Sequence, residues 1–337
     1  PPNTIMSKLI LPILLIIGVL VISGCTQGGQ PTPTQSTPAS SPTESPKQTT
    51  VQQPTETPRA AVSGGDEWVK VGSKKIEPKV VYNGELYGYG DKYPHKLVGD
   101  EWVKVGTQDY KEPHVVFNNE LYGADTYTYK LVGDKWVKVG TKEVEPRIAH
   151  NNELYGDPTY GTYTYKLVGD EWVKVGTKEV EPKVSNNGVL YGWGSEENLM
   201  YKLDGDEWVQ FGESYYEEEI PSTLRGTVGG VKPTISHREV LYGSSLRTYK
   251  LDGDKWVQAG EEAAGEKVFD KIDYIEVSSP LVSHEDVLYG RGSDGYTYKL
   301  IEGKWVKIGD KRIEPSISYD GSLYGFDGTY TYKLVKK

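Results

Sequence analysis

The octapeptide GDEWVKVG at residues 65–72 returns unchanged at 99–106 and 169–176. Close variants raise the number of these words to seven, each with a Trp-Val pair and a Gly three residues after the Val. The seven tryptophans are Trp68, Trp102, Trp136, Trp172, Trp208, Trp256 and Trp305. Their spacings are 34 to 36 residues at first and 48 or 49 at the end. Such a period indicates that one small structural unit is used repeatedly.

The repeated unit reads as four β-strands. It is rich in Tyr, Val, Thr and Gly and has no helical spacing of apolar residues. Asn83-Gly84 is a strong signal for a two-residue hairpin turn, because both positions of a type I′ turn need positive φ. A four-stranded antiparallel unit repeated around an axis is a β-propeller blade. In the first unit, strands a, b, c and d are predicted at 76–83, 84–90, 93–99 and 100–106.

The order of the strands predicts how the propeller closes. The repetitive part begins with a lone strand d at 65–72 and ends with strands a to c at 313–335. Pairing of these two segments completes a seventh blade and covers two strand edges that would otherwise recruit another chain. The sequence therefore predicts an all-β, seven-bladed propeller over residues 65–337, and we expect this domain to be monomeric.

The units resemble those of kelch-type propellers. In both, a b strand that ends in Gly is followed by a Tyr and then by a Trp, and the resemblance spans all seven units. The double glycine of kelch repeats is absent here and the units are shorter. The resemblance therefore implies the architecture and no particular ligand.

The N-terminal residues carry a different signal. An apolar run at 9–22 is shorter than the roughly 20 residues of a membrane span, and Ile22-Ser23-Gly24-Cys25 resembles a lipoprotein lipobox. We expect residues 1–25 to be a signal peptide with lipid attachment at Cys25; an uncleaved helical anchor is the alternative. Residues 26–64 are rich in Pro, Thr and Ser, which is typical of an extended stalk. The expected location is the outer side of an archaeal or bacterial cytoplasmic membrane, or the periplasm.

Charge and cysteine content limit the partners. The net charge is −10 and no Lys/Arg-rich stripe exists, which argues against nucleic acid. Cys25 is the single cysteine, so no disulfide is expected in the propeller. No cofactor is expected, apart from a possible cation in the central channel.

Residues repeated in every unit are best explained by packing, so function is sought where the units differ. The variation falls on the face with the b–c and d–a connections. That face also carries two insertions, at 213–232 and 261–279. The ligand-binding candidates there are Tyr89, Trp193, Tyr215, Tyr216, Arg225, Arg247, Arg291 and Phe326.

A second group of candidates lies at the start of strand a, the innermost strand. Five blades have a Glu before a Pro at this point, and these carboxylates should ring one mouth of the channel. They could hold a cation or attract a basic partner, or they could be neutralised by basic residues two positions later in four of the blades. The carboxylates are Glu77, Glu112, Glu145, Glu181 and Glu314.

Three histidines fall at the far end of strand a. His150, His237 and His284 stand where other blades have Tyr or Phe, which favours a structural role.

The sequence favours a lipid-anchored module that binds a protein or a glycan at the cell surface through the b–c/d–a face. A propeller enzyme (a glycoside hydrolase, lyase or lactonase) is the first alternative, and a passive scaffold for envelope assembly is the second. Two unpaired channel-mouth acids about 5–9 Å apart would favour the hydrolase. Acids paired with basic residues would favour binding.

Overall fold

A computed structural model describes residues 65–109, 111–194, 198–212, 230–245, 247–260, 267–268, 271–272 and 277–336. The predictions made for residues 1–64, including Cys25, lie outside these ranges, as do Tyr215, Tyr216 and Arg225. Within the described ranges, no helix is long and apolar enough to cross a lipid bilayer.

The described residues form seven four-stranded antiparallel sheets, which are the blades. Blade 1 contains β2 (Glu77–Tyr82), β3 (Glu85–Gly90), β4 (Tyr93–Val98) and β5 (Glu101–Lys104). Blade 2 contains β6 (Glu112–Phe117), β7 (Glu120–Ala124), β8 (Thr128–Val132) and β9 (Lys135–Lys138). Blade 3 contains β10 (Val144–His150), β11 (Glu153–Pro158), β12 (Tyr165–Val168) and β13 (Glu171–Lys174). Blade 4 contains β14 (Glu181–Asn186), β15 (Val189–Gly194), β16 (Leu199–Asp204) and β17 (Glu207–Gln210).

The later blades follow the same order. Blade 5 contains β18 (Lys232–His237), β19 (Val240–Ser244), β20 (Thr248–Asp252) and β21 (Lys255–Gln258). Two short strands, β22 (Lys267–Val268) and β23 (Lys271–Ile272), pair within the second insertion. Blade 6 contains β24 (Val277–His284), β25 (Val287–Gly292), β26 (Thr297–Ile301) and β27 (Lys304–Ile308). Blade 7 contains β28 (Glu314–Tyr319), β29 (Ser322–Phe326), β30 (Thr331–Lys336) and β1 (Asp66–Val71).

The ring closes as the strand order predicts. Strand β1 pairs antiparallel with β30, with Trp68 opposite Leu334 and Lys70 opposite Tyr332. Lys299 of blade 6 forms an ion pair of 2.8 Å with Asp66 of this closing strand. The first and last described strands therefore share one sheet, which confirms the seven-bladed count.

The repeated aromatic residues form the packing between blades. The seven tryptophans are between 0% and 7% exposed. In blade 3, Trp172 Nε1 donates a 2.9 Å hydrogen bond to Thr128 Oγ1 of blade 2. The Thr128 hydroxyl in turn donates to the carbonyl of Val144 at 2.5 Å, where blade 3 begins. Trp208, Thr164 and Val180 repeat this contact between the next two blades. A Thr at the start of strand c thus joins each such blade to the following one.

The three strand-a histidines join blades on the face that carries the a–b turns. The Nδ1 atoms of His150, His237 and His284 lie 2.7 to 2.8 Å from a serine hydroxyl of the following blade. The three serines are Ser185, Ser283 and Ser318. All three imidazoles are buried, which supports the structural role inferred from the sequence.

Blade 1 lacks the threonine contact, and this generates a stability prediction. Pro94 stands where blades 2 and 3 have Thr128 and Thr164, and the neighbouring Trp136 Nε1 is buried without a hydrogen-bond partner. Two other tryptophans also lack a partner although a threonine stands at the corresponding position, so the threonine does not always accept this hydrogen bond. Pro94→Thr should place a hydroxyl acceptor beside Trp136, as Thr128 does for Trp172, and raise the free energy of unfolding by about 1 kcal/mol. Chemical denaturation of the full chain measures this. Thr128→Val, which removes the acceptor from Trp172, should lower it by a similar amount. A lower stability for Pro94→Thr would contradict this account of the contact.

The buried histidines predict a loss of stability in acid. Burial lowers the pKa values of His150, His237 and His284, so the folded state binds fewer protons than the unfolded state. Their contribution should therefore be complete above the unfolded-state pKa and decline as the pH falls below about 6.5.

Blade 4 provides a non-titrating replacement for these histidines. Asn186 occupies the same position and accepts a 2.6 Å hydrogen bond from Ser236 of blade 5. Changing all three histidines to Asn should reduce the decline in unfolding free energy between about pH 7.5 and about pH 5. An unchanged pH dependence in the triple variant would show that other groups cause the decline.

Candidate ligand-binding site at the channel mouth

A bulge shapes the innermost strand of every described blade. The register of strand a against strand b shifts just after the proline, so one residue is left without a cross-strand partner. A bulge re-aims the side chain that it carries, and on this channel-side edge it also discourages further strand pairing. The bulge residues are Lys79, His114, Arg147, Lys183, Thr234, Leu281 and Ser316.

The channel mouth is defined here by the residues before those prolines. They are Glu77, Glu112, Glu145, Glu181, Lys232, Ser279 and Glu314. Directly across from them on strand b stands the residue that follows each Tyr-Gly word. These seven partners are all different: Tyr89, Ala124, Asp157, Trp193, Ser244, Arg291 and Phe326. Four of the ligand-binding candidates therefore occupy one register position around the mouth.

The position before each of these variable residues requires Gly for a steric reason. A Cβ atom on Gly88 would lie 2.5 Å from the carbonyl oxygen of Glu77, which is closer than any real contact. The equivalent Gly123 and Gly156 face the same obstruction from Glu112 and Glu145. Only glycine lets strand b approach the bulged start of strand a.

Blades 1 to 3 carry a chain of ion pairs across the mouth. Lys79 Nζ lies 2.8 Å from Glu77 and 2.9 Å from Glu112 of the next blade. His114 Nδ1 lies 3.3 Å from Glu145, again in the following blade. Arg147 binds Glu145 at 2.6 Å through Nη1. The bulge residues of one blade thus reach the carboxylates of the next.

The remaining mouth carboxylates also have basic partners. Arg147 Nε lies 2.6 Å from Asp157, Lys183 pairs with Glu181, and Arg291 lies 2.6 Å from Glu314. All five predicted carboxylates are therefore neutralised by a neighbouring base. In the described part of the chain, no group of three or more Asp, Glu, His or Cys side chains is arranged to hold a metal ion. The channel cation stays a prediction.

An open cavity of about 480 Å³ lies among these ion pairs. A second cavity, of about 190 Å³, lies further round the mouth and is lined by Arg291, Glu314 and Phe326. Three of the candidates, Tyr89, Arg291 and Phe326, thus border space that a ligand can enter. Lining the larger cavity are Lys79, Tyr89, Glu112, His114, Asp125, Glu145 and Arg147, with Pro113 and Ala124.

Burial sets the protonation of the larger cavity. It lowers the pKa of His114 to about 4, so the imidazole is neutral near neutral pH. Its Nδ1 lies 3.3 Å from Glu145, and a neutral imidazole has one donor and one acceptor nitrogen. Burial also raises the pKa of Glu145, against the lowering effect of Arg147. The cavity thus offers hydrogen-bond donors on cations, acceptors on carboxylates and a neutral imidazole.

Two other candidates are held by the scaffold. Trp193 lies in β15, is only 8% exposed and packs against Gly230. Arg247 donates a 3.3 Å hydrogen bond to Gln258 of its own blade. Neither observation tests ligand binding, so both residues stay predictions.

Tyrosines at or just before the start of strand c have a structural contact that the sequence analysis missed. In five blades, a strand-d lysine lies 3.1 to 3.2 Å from the centre of such a ring. Strand d of blades 4 and 5 has Gln210 and Gln258 instead, and these blades lack the tyrosine, so the paired change was visible in the sequence. The pairs are Lys70–Tyr330, Lys104–Tyr93, Lys138–Tyr127, Lys174–Tyr163 and Lys307–Tyr296.

Comparison with known proteins identifies the architecture. Neither a protein-family model nor a curated protein matches the sequence, so the kelch resemblance rests on the repeat words alone. Among solved structures, a streptogramin B lyase matches with a TM-score of 0.58 and 9% identity, over 82% of this chain and 100% of that chain. YCF48 bound to D1 peptide matches with a TM-score of 0.56 and 12% identity, over 84% and 100%. YCF48 from Cyanidioschyzon merolae matches at 0.52 and 10%, over 80% and 98%. At these identities the similarity shows the propeller fold.

Proposed function

We propose that this protein is a binding module that captures a polypeptide segment of a partner protein at the channel mouth. The proposal rests on one observation: residues that differ from blade to blade lie together at the channel mouth. Seven different side chains stand at one register position around the mouth, and two of them, Tyr89 and Ala124, line a cavity of about 480 Å³. Residues needed only for packing would be expected to stay alike in every blade.

The state of the carboxylates supports binding over hydrolysis. A glycoside hydrolase needs two carboxyl groups, one as acid and one as base or nucleophile. Here Glu112 and Glu145, the two that line the larger cavity, are engaged by Lys79 and by Arg147 with His114. Ion pairs of this kind serve recognition through complementary charge.

A polypeptide suits the cavity better than a neutral glycan does. The lining combines cations, carboxylates, a neutral imidazole and the ring of Tyr89. A peptide segment offers backbone donors and acceptors together with charged and apolar side chains. YCF48, a propeller of the same architecture, has been solved with a peptide bound.

Substitution at the mouth tests the proposal. A photo-crosslinking residue in place of Tyr89 in the full chain should yield an adduct whose peptide can be identified and synthesised. Binding of that peptide should weaken by about tenfold or more for Tyr89→Ala and His114→Ala, measured by calorimetry. Lys96→Ala provides a matched control, because Lys96 pairs with Glu85 on the opposite face. Equal loss in the control, or adducts with glycans alone, would overturn the proposal.

The proposed location is the outer side of the cytoplasmic membrane. The lipobox-like segment before Cys25 and the Pro-rich stalk at 26–64 are the support for it. Metabolic labelling with a fatty-acid analogue in an archaeal or bacterial host should mark the full chain, and Cys25→Ser should abolish the label. A membrane-bound but unlabelled wild-type protein would instead indicate the uncleaved helical anchor.

A further inference from the structure

The series of carboxylates around the channel mouth is interrupted at blade 5. Lys232 occupies the position that holds Glu181 in blade 4 and Glu145 in blade 3. The bulge of blade 4 carries a second lysine, Lys183, whose side chain is 20% exposed. In blades 1 and 2 the bulge residue reaches the residue before the proline of the next blade, as Lys79 reaches Glu112 at 2.9 Å. The same geometry brings Lys183 to Lys232.

The two ammonium groups influence each other directly. The Lys232 side chain lies close enough to Lys183 to interact with it. Burial, followed by the charge of Lys232 and then that of Arg147, lowers the pKa of Lys183 to about 7. Asp157 opposes this shift from the blade 3 side. The pair thus lies in a place where positive charge is poorly compensated.

Lys232 is the cation of this group without a carboxylate partner. Glu181 pairs with Lys183, while Glu145 and Asp157 are bound by Arg147. Among the residues that the structure describes, none provides an acidic partner for Lys232. In blades 1 to 3 each base of the mouth instead has one or two carboxylates. An anion placed between Lys183 and Lys232 would give Lys232 the partner that it lacks.

We propose that Lys183 and Lys232 form an oxyanion-binding subsite of the channel mouth, which receives a carboxylate of the bound polypeptide. This inference rests on the proposed function for the source of the carboxylate, but the subsite itself binds small oxyanions as well. An ammonium group donates up to three hydrogen bonds and accepts none, so two of them together select an anion. The subsite fixes the direction of the segment, since each cation that lines the larger cavity of blades 1 to 3 already has a carboxylate partner.

Sulfate is the probe for this subsite, because its charge does not change near neutral pH. The full chain is labelled with ¹³C at lysine Cε and titrated with and without sulfate. Sulfate should raise the pKa of Lys183 from about 7, since a bound anion favours the ammonium form. Affinity for sulfate should be about tenfold or more lower in Lys183→Met and in Lys232→Met. It should also fall as the pH rises through the pKa of Lys183.

Two control measurements test whether sulfate binds at this subsite. Lys96→Met, on the opposite face, should leave sulfate affinity unchanged. Without sulfate, Lys232→Met should raise the pKa of Lys183, which shows that the variant is folded and that the two groups are neighbours. Sulfate binding that is equal in wild type and both variants, or no response of Lys183 to the ion, would overturn the subsite.

The peptide arm separates this inference from the proposed function. The crosslinked peptide should lose affinity on Lys183→Met and when its acidic side chains are changed to amides. If sulfate binds at Lys183 but no peptide binds at the mouth, the subsite stands and the proposed function fails. If the peptide binds equally well to Lys183→Met, the subsite is not used by the partner and the inference fails.

Discussion

The structure depends on the pairing of β1 with β30. This single antiparallel ladder joins the two ends of the described ring and places Trp68, which is fully buried, in the last interface between blades. A ring left open would expose two strand edges and the apolar side of two blades. Closure also fixes the distance of every innermost strand from the axis. The geometry of the channel mouth follows from a contact made at the outer rim.

Packing and the proposed recognition site use different positions of the same repeat. The Trp and the Leu of strand b are buried in every blade, and the Thr at the start of strand c is buried in five, because they fill the spaces between sheets. The bulge leaves one residue of strand a outside the ladder, and that residue can vary without disturbing the pairing. Lys79, His114 and Arg147 occupy it in consecutive blades. A regular scaffold can thus carry an irregular site.

The sequence was sufficient for the fold because its signals are local and repeated. Turn words such as Asn83-Gly84, the strand order and the seven tryptophans all indicated one closed ring, and the ladder between Trp68 and Leu334 confirms it. It also placed the five carboxylates at the start of strand a. The bulge was not foreseen, because a one-residue shift shows only where apolar and polar residues alternate, and the short strand Glu77–Tyr82 does not alternate in this way. Consequently the sequence left open whether Lys79 would reach Glu112 of the next blade.

Side-chain burial was the other feature that the sequence did not predict. Trp193 follows a Tyr-Gly word as Tyr89 and Phe326 do, and only packing distinguishes a ring buried in β15 from rings that border a cavity. The b–c tyrosines likewise gave the impression of free variation. Contacts such as Lys104 with Tyr93 link strand d to the start of strand c, so the pattern emerges when distant positions of one unit are compared.

The electrostatic asymmetry of the mouth bears on specificity more than on affinity. Partly buried ion pairs such as Glu145 with Arg147 gain little net energy, because desolvation offsets much of their attraction. They nevertheless penalise any ligand that buries a charge of the wrong sign beside them. Under the proposed function, the paired charges of blades 1 to 3 and the unpaired Lys232 beside Lys183 would reject different ligands. A segment that satisfies both parts must carry its charges in one order, so the proposed site would bind it in one direction.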